Sequence, residues 1–130
     1  MSEYYFSKMV NTNFEDTIEK IKLKLSKIGF GIVSEIDVSE TFKKKLNIDF
    51  RKYRILGACH PATAYKAITA ENKIGTMLPC NIIIQEFENG DIEIAAIDPE
   101  ASMRSVRNDS LSVFAGEIHD ILKNFVDDFD

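Results

Sequence analysis

The chain has 130 residues, of which 45% are hydrophobic and 28% charged, with a formal net charge of −5 at pH 7. That length suits one domain, residues 1–130, with its own core, and the apolar content argues against disorder. No apolar run approaches the roughly 20 residues that cross a bilayer, and "MSEYYFSKMV" lacks the pattern of a secretory signal. The acidic balance also opposes a duplex nucleic-acid partner, so we expect a cytoplasmic protein with neither a membrane nor a nucleic-acid partner.

The segment 4–10, "YYFSKMV", is β-prone and too short for a helix. Thr12 or Asn13 then caps a helix, with Glu15 or Asp16 placed to return the bond. Phe14, Ile18, Ile21, Leu25 and Ile28 recur at spacings of four and three and form its apolar stripe. Gly29 supplies the left-handed position that stops it. "FGIVSEIDV" over 30–38 reads as a strand, after which Ser39 opens a short helix with Val38, Phe42 and Leu46 four apart. The basic run Lys43, Lys44 and Lys45, with Lys52 and Arg54 beyond it, reads as a solvated face. No aromatic stacking platform accompanies it, as a nucleic-acid patch would require.

"YRILGACH" is apolar on both faces near its middle, which suits an interior strand. Pro61 then fits the first turn of a short helix, "ATAYKAITA". Residues 80–98, "CNIIIQEFENGDIEIAAID", read as a hairpin whose Asn89-Gly90 pair suits a type I′ turn. A loop, "EASMRSVRND", follows Asp98-Pro99, with Asn108 or Asp109 as the next N-cap. The last helix places Leu111, Phe114, Ala115, Ile118, Ile121, Leu122 and Phe125 on one face, and Phe129 falls in an acidic tail expected to fray. Strands grouped between long terminal helices indicate an α+β fold, an antiparallel sheet packed on two amphipathic helices with short inserted helices. The direction of the strand ending at His60 relative to the one starting at Cys80 stays open, because the segment between them is long enough for a crossover.

"RILGACHPATAYKAI" and "IGTMLPCNIIIQEFENGDIEIAAIDPEASM" together resemble the core signature of the domain-of-unknown-function 302 (DUF302) family. That signature has an apolar strand ending before a proline, a short helix, Leu-Pro-Cys opening a strand, an Asn-Gly hairpin and a Pro…Met loop. The resemblance extends more weakly to both terminal helices. It implies a β-α-β4-α (TBP-like) fold in which a curved antiparallel sheet grips the C-terminal helix. It also implies that Cys59 and Cys80 share one end of that sheet. It brings no activity, and the matching positions carry over only as signature positions.

The candidate ligand-binding set is Cys59, His60, Cys80, Asp98 and Met103. Thiolates at Cys59 or Cys80 suit disulfide or persulfide exchange if a helix N-terminus or a cation lowers their pKa. His60 offers a base or a soft ligand and Met103 a thioether. Each residue also has a plainer role: buried cysteines behave as small hydrophobes, His60 sits at a helix start, and Met103 fills gaps. Two cysteines in a reducing compartment make no disulfide framework. A closed zinc site would need both cysteines and both histidines at one point, so no metal is expected. Nucleotide, zinc-hydrolase and esterase signatures are absent, and no cofactor is indicated. Paired carboxylates among Glu86, Asp98, Glu100 and Asp109 are not singled out by their spacing. The favoured reading is a non-catalytic module that binds a small molecule near Cys59 and Cys80, or pairs as a homodimer. The alternative is a thiol-dependent redox or sulfur-transfer enzyme, or a Cu(I)-type carrier.

Overall fold

The structure, a computed structural model, describes residues 3–130. Five strands form one open antiparallel sheet in the order β1-β5-β4-β3-β2. They are β1 (Tyr5–Val10), β2 (Gly31–Asp37), β3 (Tyr53–Cys59), β4 (Cys80–Glu86) and β5 (Ile92–Ile97). Two long helices, α1 (Phe14–Ser26) and α5 (Asp109–Asp127), cover one face. The shorter α2 (Val38–Leu46), α3 (Pro61–Ala70), a 3₁₀ turn (Ile74–Met77) and α4 (Pro99–Ser102) are inserted between strands and before α5.

The alternation of the strands decides which face is buried. Leu56, Ala58, Ile82, Ile84, Ile94 and Ala96 point towards the helices and are almost fully buried. Phe14, Ile18, Ile21 and Leu25 of α1 meet them, as do Ile118, Leu122, Phe125 and Val126 of α5. A second, smaller core lies beside the first and is built on Ala67 of α3, Ile74 and Leu111.

Helix ends follow the sequence closely. Asn13 caps α1 by accepting from the Asp16 N–H at 2.8 Å, and Gly29 takes φ +90° just past its end. Asn108 caps α5 by accepting from the Ser110 N–H at 3.0 Å. Other expectations are corrected. Ile28 lies beyond α1 and is 39% exposed, because the helix ends at Ser26 and its apolar stripe stops with Leu25. Asp37 rather than Ser39 caps α2, its side chain accepting from the Glu40 N–H. The 87–91 hairpin has no type I′ turn: Gly90 alone there takes positive φ, at +91°, while Phe87 and Asp91 close a three-residue loop. One turn of helix, α4, runs into the start of the expected 100–109 loop, because Asp98 caps it and Pro99 fits its first position.

The tail does not fray. Phe129 is 1% exposed, folded against Phe125, with the ammonium groups of Lys20 and Lys24 over its ring. The Lys8 ammonium donates to the Asp127 and Phe129 carbonyls, at 3.0 and 2.6 Å. At the opposite edge, Arg54 pairs with Glu35 at 2.7 Å and with Glu15 and Asp37 at 3.4 Å, tying α1 to β2 and β3. Lys43, Lys44 and Lys45 lie exposed on α2.

Candidate functional site

Strand β4 pairs antiparallel with β3, and Ala58 stands opposite Cys80. Cys59 and Cys80 therefore come to the same end of the sheet, both as free thiols. The approach of the Leu-Pro-Cys segment depends on Gly57. A Cβ there would lie 2.7 Å from Pro79 Cγ and would also strike Ser34 Oγ, so only glycine lets Pro79 settle on β3. The Leu78–Pro79 peptide is cis.

Beside this end lies a cavity of about 50 Å³. It sits at the seam between the two cores, where α3 contributes Ala64 and Ala67 and α5 contributes Ala115. Three alanines on facing helices leave the space that larger side chains would fill. Cys59, His60, Cys80 and Met103 all border it, with Phe30, Leu78, Phe114 and Ile118 as further apolar walls. Asp98 is not among the lining residues, although its neighbour Pro99 is.

The chemistry of these groups differs from one to the next. Cys80 is 9% exposed, and burial, with a smaller contribution from Cys59, pushes its thiol pKa up to about 11. Cys59 is half-buried. His60 is held by its surroundings: its Nδ1 shares a 2.9 Å hydrogen bond with Thr63 Oγ1, and its ring meets Phe30 edge-on at 5.1 Å. Its Nε2 edge lies over Gly29, close enough that a Cβ there would be 3.0 Å away. Met103 ends α4 and joins the smaller core.

Asp98 belongs to a different group. Its Oδ1 accepts from the Glu100 N–H at 3.0 Å and from His119 Nδ1–H at 2.7 Å, and Glu100 Oε1 lies 3.1 Å from the same nitrogen. The hydrogen bond to Asp98 chiefly, with the charges of Asp98, Glu100 and Asp120, raises the His119 pKa above its ordinary value against the effect of burial. His119 packs edge-on against Phe6 at 5.0 Å. Sequence reasoning misses His119 because its partners are 19 and 21 residues away. The only local signal is its place at the margin of the apolar face of α5, next to Ile118.

The architecture is an α+β domain in which an open five-stranded antiparallel sheet holds two long helices on one face, with a sulfur-bordered cavity at one end. The chain belongs to the family described as domain of unknown function DUF302, whose sequence profile matches residues 6–129. It is similar to the crystal structure of an uncharacterized conserved DUF302 protein from Bacillus stearothermophilus, at 26% identity and a TM-score of 0.89, over 97% of this chain and 98% of that one. No curated protein matches it. The family description assigns no function. No helix among the described residues is long and apolar enough to cross a membrane.

Proposed function

We propose that this chain is a non-catalytic binding module that takes a small apolar or sulfur-bearing molecule into the cavity beside Cys59 and Cys80. One observation carries the reading: an apolar space, bordered by two thiols and a thioether, persists where close packing is the rule. Its volume fits a ligand or ligand group of only a few heavy atoms. His60 is committed to Thr63 and Phe30, which makes it a wall of the site rather than a base acting in it.

The thiol-dependent alternative is weaker on physical grounds. Burial pushes the Cys80 thiol pKa up to about 11, so this thiol is held in its neutral form near neutral pH, and the thiolate is the nucleophile. Homodimerisation has a separate basis in the open sheet face, where Met9 and Ile36 are exposed. We assign the protein to the cytoplasm, where its free thiols stay reduced, with no nucleic-acid partner at a net charge of −5.

Xenon and dimethyl sulfide are suitable probes, followed by amide chemical shifts of the full chain. Saturable shifts confined to Ala64, Ala67, Cys80, Met103 and Ala115 are expected. Shifts elsewhere, or none, would overturn the reading. Iodoacetamide should leave Cys80 unlabelled in the folded chain at pH 8, and rapid labelling there would restore the thiol alternative.

A further inference from the structure

Asp98, Glu100 and His119 lie outside the cavity wall, and their chemistry is independent of any ligand in the cavity. One ligand atom from each residue lies within 4.8 Å of the others. Two carboxylates face a single imidazole nitrogen, His119 Nδ1, at 2.7 and 3.1 Å. That nitrogen carries at most one proton, so it cannot fully satisfy both. Among the described residues no lysine or arginine pairs with either carboxylate. The group therefore keeps net negative charge even with the imidazole protonated, and Asp120 adds to the field. Carboxylates drawn together in this way repel unless a cation lies between them.

The side chains are also held in place. Asp98 is 9% exposed and doubles as the cap of α4, so its carboxylate has little freedom to turn away. The His119 ring is braced by Phe6. Glu100 Oε2 lies against Gly116, one turn before His119 on α5, where no side chain competes for the space.

We propose that Asp98, Glu100 and His119 form a binding site for a divalent transition-metal ion of the Zn²⁺ type. One imidazole nitrogen and two carboxylate oxygens make a borderline donor set suited to such ions. Bonds of about 2.0–2.2 Å from metal to ligand place neighbouring donors roughly 3.0–3.5 Å apart. His119 Nδ1 already stands 2.7 and 3.1 Å from the two carboxylates, and small rotations of the exposed Glu100 side chain close the set. The ion replaces the Nδ1 proton, which is released to solvent, and its charge neutralises both carboxylates. Three protein ligands leave at least one coordination position for water.

The test uses the metal-free full chain carrying Cys59→Ser and Cys80→Ser, so that thiols cannot supply ligands. Zn²⁺ titration by calorimetry should show one ion per chain, with proton release. Glu100→Gln and His119→Gln should each weaken binding at least tenfold, and ¹⁵N shifts of His119 should report metal on Nδ1. Glu100 is half exposed, so its variant will fold even where the histidine variant does not. Absence of saturable binding, or binding that survives both substitutions, would overturn the assignment. Loss of Zn²⁺ binding on changing the two cysteines alone would move the site to the cavity and overturn it equally.

Discussion

Filling the cavity tests the functional reading and the packing account at once. Ala67 is buried on α3 and faces the seam, so Ala67→Val adds two methyl carbons directly to the space. A void of about 50 Å³ costs about 1.2 kcal/mol at roughly 24 cal/mol per Å³. A β-branched residue inside a helix costs about 0.5 kcal/mol relative to alanine. The net gain is then about 0.7 kcal/mol, which for a chain of this length raises Tm by about 2–3 °C. Differential scanning calorimetry would measure the gain, and a parallel xenon titration should show binding lost in the variant. A variant destabilised by 1 kcal/mol or more would mean that α3 and α5 already touch there. A variant that binds xenon as well as the parent would place the ligand somewhere else.

Phe129→Ala should destabilise the fold by about 3–5 kcal/mol in urea denaturation, because the ring is a fully buried core member; a loss under 1 kcal/mol would return the residue to a solvated tail. Gly57→Ala should cost about 1–3 kcal/mol, since Pro79 Cγ is part of a rigid ring and cannot yield as Ser34 can. Acid should weaken the β2 edge. The hydrogen bond from Lys22, then that from Arg54, holds the Glu35 pKa below its ordinary value, while the Glu40 N–H, Ser39 and Arg54 lower that of Asp37. Folded pKa values below the unfolded ones mean that this stabilisation is complete above about pH 4–5 and is lost as pH falls through the depressed folded values. Urea midpoints measured from pH 6 to pH 2 should therefore fall less steeply in Arg54→Met than in the parent.

Much of the fold is legible because its signals are local. The Phe14–Leu25 stripe, Asn13, Gly29 and Pro61 each act within one turn of helix, and their residues name the structure they form. The Asn-Gly pair marks the hairpin but not its turn type, since Gly90 alone suffices when the loop is one residue longer. Phe129 reads wrongly as a tail residue because it joins the main core, with Lys8, Lys20 and Lys24, all more than 100 residues away in sequence, placed around it. The candidate site divides along the same line. The family resemblance brings Cys59 and Cys80 together, and pairing of Ala58 with Cys80 supplies the physical reason. Asp98 stands near them in the signature, yet its side chain turns to His119. Asp98 stands past the end of β5 as the cap of α4, and no spacing rule links a cap residue to a helix residue 21 positions on.

The smaller core has a consequence for how anything enters. Among the described residues it rests on only Ala67, Ile74 and Leu111 as buried members, while the main core has eighteen. Layers with so little apolar surface detach at a lower free energy than the rest of the molecule. Residues 61–78 should thus lift away as a flap while β3, β4 and β5 stay intact, and amide exchange there should run orders of magnitude faster than in those strands. A guest would need no permanent channel, because the door is the weaker wall.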